Sequence, residues 1–149
     1  MEQTQSISMY LDSIKETKII NNIGDKDLTN LSRTNLNISF LINSVVFKAK
    51  DEIHVDCAIK YIYNNQELFL VEIINVYHVD DLSSIVIKNV NDNTVGFKYD
   101  IIPVLINISY GTLRGIVYKE TINSKLEDYP VPLIPLNVLT EKSSLTIVE

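Results

Sequence analysis

The sequence predicts an α+β domain in which strands come first and one long helix follows. From Leu36 and again from Ile53 to Tyr63, apolar residues recur at every second position, which is the period of half-buried strands, and 67–79 is rich in β-forming residues. Between Asp100 and Asn123 apolar residues dominate, and Pro103 falls in the first helical turn, where its missing N–H donor costs least. Strands followed by a helix are typical of the α+β class.

Two strands follow from the alternation and a third from a β-rich composition. The first begins at Leu36, and the charged break Lys48–Glu52 separates it from the second, which spans 53–63. Asn64 and Asn65 predict a tight turn because Asn tolerates left-handed backbone. The third strand spans 67–79. Together the three predict an antiparallel meander with one apolar face.

The flanking segments are less regular. Residues 1–35 fit a helix or a strand, and 28–35 are rich in turn formers. The connection 80–100 holds a short β-rich patch at 85–90, turn formers at 91–94 and two aromatic residues. A connection this long inside a compact domain is often functional. The last residues, 140–149, are predicted to be too short for a further element.

Apolar residues cover two sides of the predicted helix. A helix that is apolar nearly all round is buried on both sides, so we expect two neighbours. Asp100 is expected to cap its first turn. The first side consists of Leu105, Ile106, Ser109, Leu113, Ile116 and Val117, and the second of Val104, Ile108, Gly111, Thr112 and Gly115.

Gly111 and Gly115 lie inside this helix, where each costs about 1 kcal/mol relative to Ala. Close approach of another backbone, from the sheet or from a partner helix, would compensate for that cost. The alternative is a monomeric core helix that happens to carry two glycines. We favour a helix-packing interface at Gly111, Arg114 and Gly115. Arg114 and Lys119 argue against a membrane span.

Composition bounds the function. The 149 residues suffice for one domain, 1–149, and the net charge of -6 disfavours a nucleic-acid binder. The single cysteine, Cys57, excludes an internal disulfide and fits a reducing compartment. Because no signal-like start or run of ~20 apolar residues is found, we expect a cytoplasmic protein.

Chemistry-bearing residues are few. His54 and His78 are expected at ordinary surface positions, and Asp80–Asp81 in a solvated turn. Cys57 is expected to be a buried, inert thiol. The sequence shows neither a phosphate-binding glycine loop nor zinc-ligand spacing. We therefore expect a protein that is not an enzyme and that uses no cofactor or metal.

The face of the sheet turned away from the helix is predicted to carry unexpected apolar residues. A large exposed apolar patch marks an interface, here with a second subunit or an unfolded chain. Dilution by polar neighbours is the alternative. The residues concerned are Leu41, Ile62, Leu68, Leu70, Ile74 and Val76.

The C-terminal half carries a family resemblance. An aromatic residue and an arginine inside the long helix, Tyr110 and Arg114, are followed by Tyr129–Pro130 and by a segment with Leu133, Pro135 and Asn137. Order and spacing resemble those of the SecB-type export chaperones, from Leu36 to about Leu139. The resemblance implies a first strand near Met9–Ile20, and hence a four-stranded antiparallel sheet with the long C-terminal helix packed on one face.

The resemblance also implies partners. Family members hold unfolded chains without ATP as a homotetramer, a dimer of dimers, and deliver them to the SecA-type translocase motor. Leu70 and Glu72 occupy the places of two motor contacts, whereas Lys18 and Asn22 stand where the family has acidic residues. Some relatives serve toxin–antitoxin pairs instead.

Holding of unfolded chains is therefore the predicted function, with Phe97, Tyr99 and Tyr129 as the client-binding residues. A carrier or sensor of a small apolar ligand is the alternative, in which Arg114 and Tyr110 supply the polar contacts. A passive structural subunit is a third.

Arg114 has two possible environments within so apolar a helix. Its stem can lie on apolar neighbours with its head in water. Alternatively, it is buried against a carboxylate or against carbonyls of the proline-rich segment 131–137. The resemblance places an arginine here, and we favour the buried arrangement because an unpaired buried charge is costly.

Overall fold

The computed structural model describes residues 6–89 and 94–149 and forms an α+β fold built on one large sheet. Its first four strands are antiparallel neighbours in the order β1–β4–β3–β2. The predicted strand near the N-terminus is thereby confirmed. The strands are β1 (Met9–Asn21), β2 (Leu36–Phe47), β3 (Glu52–Tyr63) and β4 (Gln66–Val79).

A fifth strand corrects the predicted count of four. Beyond the proline-rich segment the chain forms α3 (Leu136–Glu141) and β7 (Ser144–Val148), and β7 pairs with β2 in parallel. Residues 140–149 were therefore wrongly expected to lack structure. Five residues cannot form a strand alone, but the free edge of β2 supplies hydrogen-bonding partners for their backbone.

The tight turn between β3 and β4 forms as predicted. Asn64 and Asn65 both take left-handed backbone, with φ of 51° and 58°. This conformation suits a two-residue hairpin. The turn fixes the register, so that Ile59 of β3 lies beside Val71 of β4 on the buried face.

The long helix α2 (Ile101–Thr121) packs one side on β2, β3 and β4. The first of its two predicted apolar sides is buried, with Leu105, Leu113 and Val117 almost inaccessible. Pro103 lies in the first turn, as expected. The Asp100 side chain forms no cap; instead, the Ile101 N–H donates to the carbonyl of Tyr99 at 2.9 Å.

The connection into α2 holds a second, two-stranded sheet. After the short helix α1 (Leu82–Ile85), strands β5 (Val86–Asn89) and β6 (Thr94–Phe97) pair as a hairpin. The predicted turn at 91–94 lies mostly outside the described residues. Lys98 N–H donates to the carbonyl of Ile85 at 2.7 Å, which joins the end of β6 to the end of α1.

Candidate binding surfaces

The exposed side of α2 carries a regular apolar ridge. Its positions are separated alternately by four and three residues, which is the spacing of a coiled-coil seam. Four of them are exposed large apolar residues, and the central two are glycines. We call this set the α2 ridge: Val104, Ile108, Gly111, Gly115, Tyr118 and Ile122.

The two glycines of the α2 ridge face open space. A Cβ atom built on Gly111 or on Gly115 would meet nothing within 4 Å. Close approach to the sheet of the same chain, one of the two expected reasons for these glycines, is therefore wrong. Contact with a helix of another subunit is the explanation that stays open.

A second apolar surface lies on β1. Leu11, Ile14 and Ile19 are between 38% and 42% exposed. They are paired in register with Tyr77, Asn75 and Val71, whose side chains are buried on the helix side of the sheet. These three residues, the β1 patch, thus lie on the same face as α2. Because β1 is an end strand, no strand within residues 6–89 and 94–149 pairs with its outer backbone edge.

The opposite face of the sheet is less apolar at its surface than expected. Leu41 is 57% exposed, but Leu68, Leu70 and Val76 are buried. Leu68 belongs to the main core cluster, beside an irregularity in the pairing of β3 with β4, and Leu70 is paired in register with Ile20 of β1 and Lys60 of β3. Strand alternation alone does not predict these surroundings. Leu70 is only 5% exposed, which leaves little of its side chain for a docking partner, and the neighbouring Glu72 is half-buried.

A cavity of about 360 Å³ and another of about 430 Å³ flank Arg114. The larger lies between the proline-rich segment and the start of β2, and Arg33 stands at its rim. We call it the arginine cavity. It is lined by Arg33, Leu36, Ile38, Arg114, Tyr129, Pro130, Val131, Pro132 and Leu133.

Three tyrosine hydroxyls hold the proline-rich wall of the arginine cavity in place. Tyr61 donates to the carbonyl of Tyr129 at 2.7 Å, and Tyr110 to that of Pro132 at 2.7 Å. Tyr129 in turn donates to the carbonyl of Leu31 at 3.1 Å, in the loop that carries Arg33. Burial raises the pKa of Tyr110 to about 12, so this hydroxyl keeps its proton at neutral pH.

Arg114 is not paired as expected. It is half-buried, its Nε is inaccessible to water, and no hydrogen-bond partner meets that atom. Among the described residues, no carboxylate forms an ion pair with it. Arg114 also forms no hydrogen bond to a carbonyl of the proline-rich segment within the described residues, so that predicted contact is wrong; the Pro132 carbonyl accepts from the Tyr110 hydroxyl instead. Glu127 lines the smaller cavity, where its carboxylate accepts from the Asn123 N–H at 3.3 Å.

The three predicted client-binding aromatics do not share one groove. Phe97, Tyr99 and Tyr129 are all half-buried and pack against the core. Tyr99 lines a cavity beside Ile7 and Ile85, before α2 begins, whereas Tyr129 lines the arginine cavity. These cavities have no residue in common. Sequence reasoning placed the aromatics together because all three flank the helix.

The histidines and the cysteine have ordinary surroundings. His54 lies 2.9 Å from Glu52, whose pKa that hydrogen bond lowers, and His78 lies 2.9 Å from Asp80. Cys57 is buried as predicted, and burial raises the pKa of its thiol to about 12. A protonated thiol of this kind is a poor nucleophile at neutral pH.

Comparison with known proteins adds no relative: no family model matches the chain, and no curated protein or solved structure was found to be similar to it. The fold and surfaces thus define a class only, an α+β protein with a sheet, a packed helix and exposed apolar surface. By length and composition α2 could cross a membrane, although its buried side is also typical of a soluble core helix.

Proposed function

We propose that this chain is an ATP-independent chaperone of the cytoplasm that holds unfolded polypeptides and acts as a homo-oligomer. The observation that carries the proposal is the apolar surface on the helix side of the molecule, formed by the α2 ridge and the β1 patch. Clusters of exposed large apolar residues mark sites that bind other protein chains. The resemblance to SecB-type chaperones points to the same activity.

The α2 ridge suits a second copy of the chain. A seam with heptad spacing is self-complementary, so the same residues can contact each other across a two-fold axis. Gly111 and Gly115 lie at its centre, where two helix backbones can approach most closely. Association here would bury the second apolar side of α2 and compensate for the two glycines.

The β1 patch suits an extended client. An unfolded segment can add to the open edge of β1 through main-chain hydrogen bonds that do not depend on its sequence. Leu11, Ile14 and Ile19 lie beside that edge and offer apolar contact. Delivery of the client to a translocase motor stays a prediction of the family resemblance.

Gly115→Leu tests the oligomer. Space is open around Gly115 in a single subunit, so leucine is expected to stabilise the isolated helix, whereas in a two-helix seam it would force the backbones apart. By light scattering at micromolar concentration, we expect an oligomer for the parent and a monomer for the variant. Asn107→Leu, beside the ridge, is the control and should keep the parent mass. A monomeric parent, or an oligomeric Gly115→Leu, contradicts the proposal.

Ile14→Thr/Ile19→Thr tests client binding. Threonine keeps strand propensity but removes apolar surface from the β1 patch. A model client diluted from urea should aggregate less in the presence of the parent protein and no ATP, and the variant should protect it less. Lys15→Thr/Lys18→Thr, two exposed residues of the same strand on the other face, is the matched control. Equal protection by all three proteins would remove the β1 patch from the site.

A second candidate function is favoured by the arginine cavity. Its volume of about 430 Å³ lies within the usual range of ligand sites, and its lining is mainly apolar with two cationic groups. A carrier or sensor of a small apolar ligand would use such a site. Native mass spectrometry of freshly purified protein distinguishes the functions, because a carrier retains a stoichiometric small molecule.

A further inference from the structure

Both arginines of the chain line the same cavity. Arg33 comes from the loop before β2 and Arg114 from the middle of α2, and the sequence holds no third arginine. All other cations are lysines. The guanidinium group binds carboxylates through two parallel hydrogen bonds, which an ammonium group cannot do. The two groups best suited to hold a carboxylate are thus at one place.

The arginine cavity offers these cations no protein anion. None of its lining residues is acidic, and neither arginine forms an ion pair with a carboxylate among residues 6–89 and 94–149. The Nε of Arg114 is buried without any partner. That atom is closed to solvent, so a ligand would meet Arg114 through the accessible part of this half-buried side chain and Arg33 through its exposed one. Charged donors at a cavity wall that no protein acceptor meets suit an acceptor that a ligand brings.

The remaining lining restricts the kind of anion. Four of the lining side chains provide apolar contact: Leu36, Ile38, Val131 and Leu133. Leu133 is 79% exposed, so most of its side chain is free to contact a ligand. A phosphate or sulfate would lose its hydration here without gain from such walls. A monoanion attached to an aliphatic body matches both features, because its charge meets the arginines and its body meets the leucine, isoleucine and valine side chains.

The walls are also rigid enough to select a ligand. The Tyr61, Tyr110 and Tyr129 hydroxyls tie the proline-rich wall to β3, to α2 and to the Arg33 loop. That loop is braced in addition by the Asn35 side chain, which accepts from Ser32 N–H at 2.8 Å and donates to the Asn30 carbonyl at 2.7 Å. A site held by such contacts loses little conformational entropy on binding.

We infer that the arginine cavity binds a small aliphatic carboxylate, with its carboxylate group between Arg33 and Arg114 and its hydrocarbon body along Leu36, Ile38, Val131 and Leu133. The inference rests on the second candidate function, that of a carrier or sensor, and names its ligand class. It does not depend on the chaperone activity of the α2 ridge or the β1 patch.

Decanoate is the probe. By isothermal titration calorimetry, decanoate below its micelle range should bind at one site per chain, and decanol, with a body of the same length and no charge, about tenfold or more weakly. Acetate, which has the charge without the body, should not bind measurably. Equal binding of decanoate and decanol, or no binding of decanoate, would overturn the assignment.

Three variants locate the site. Arg114→Met and Arg33→Met each replace a cation by an apolar chain of similar length and should weaken decanoate binding about tenfold or more. Lys119→Met removes one exposed charge from the same helix and should bind as the parent does. Because no described residue pairs with Arg114, Arg114→Met should melt at or above the parent temperature, and that result would exclude unfolding as the cause of its weaker binding. An equal loss in Lys119→Met would show a general charge effect and sink the proposal.

Side-chain NMR gives a readout that does not rely on affinity. The two arginines give two Nε–Hε cross-peaks, and each peak is assigned by its loss in the Arg33→Met or the Arg114→Met variant. Decanoate should shift the Arg114 peak strongly, whereas decanol should leave it in place.

A leucine-rich tetrapeptide with a free C-terminus serves as a competitor. If the tetrapeptide binds more tightly than decanoate and displaces it, the site recognises the C-terminal carboxylates of unfolded chains, and the small-molecule assignment is wrong. A co-purified ligand without a carboxylate would keep the carrier function and overturn this inference alone.

Discussion

The buried pair formed by Tyr77 and Ser109 joins β4 to the middle of α2. The Tyr77 hydroxyl lies 2.8 Å from Ser109 Oγ and also donates to the Leu105 carbonyl at 3.4 Å. Tyr77 is 2% exposed and Ser109 is fully buried. Water therefore cannot replace a hydrogen bond that is removed from either side chain.

We expect Tyr77→Phe to cost about 1–3 kcal/mol of unfolding free energy, because it leaves the Ser109 hydroxyl buried without its partner. Ser109→Ala should cost less, about 0.5–1.5 kcal/mol, because the Tyr77 hydroxyl keeps the Leu105 carbonyl as an acceptor. The double variant removes both hydroxyls and should cost no more than the larger single change. In a chain of this length 1 kcal/mol corresponds to roughly 2–4 °C in melting temperature.

Urea unfolding of the parent, the two single variants and the double variant measures the coupling. All four are compared at one protein concentration, since association would make the apparent stability depend on it. Unchanged denaturant slopes would show that the variants differ in stability rather than in compactness. If the single costs simply add to within about 0.5 kcal/mol, the two hydroxyls do not interact and the reasoning is refuted.

Two further predictions concern the sheet. Burial raises the pKa of Asp56 above 3.8, so the folded state holds this proton to higher pH than the unfolded chain does, and stability falls as pH rises through that window. Asp56→Asn should therefore have a higher urea midpoint than the parent at neutral pH, and this difference should disappear below pH 3.8. An equal increase in the midpoint at both pH values would contradict the prediction. Removal of residues 144–149 takes away β7 and the contacts of Glu149 with Lys48 and Lys88, which frees the edge of β2. We expect the truncated protein to aggregate faster by light scattering, whereas Glu149→Gln, which keeps the strand, should stay soluble; equal solubility of all three would mean that the edge needs no cover.

The resemblance to SecB-type chaperones remains a prediction about function, while the fold itself rests on the chain's own residues. The sheet has five strands where the resemblance implied four, and the C-terminal residues are ordered as α3 and β7. The surfaces that support a chaperone are the α2 ridge and the β1 patch, neither of which includes the predicted aromatics Phe97, Tyr99 and Tyr129.

The amino-acid sequence alone determined the elements whose signal is local. Alternation placed the start of β2 and the whole of β3 to within a residue, because a strand that buries one face must repeat with period two, and β-rich composition placed β4. Asn64 and Asn65 placed the hairpin turn, because few other residues accept two successive left-handed conformations. The apolar run after Pro103 placed α2 and its buried side.

Only the tertiary structure decided what depends on neighbours far apart in the chain. β7 forms because β2 has a free edge, and Leu70, which is paired in register with Ile20 and Lys60, is 5% exposed. Arg33 could have been noted as one of two arginines, but its position beside Arg114 follows from the packing of the loop, α2 and the proline-rich segment. Sequence spacing carries no information about such distances, since they are fixed only when the separate elements share one core.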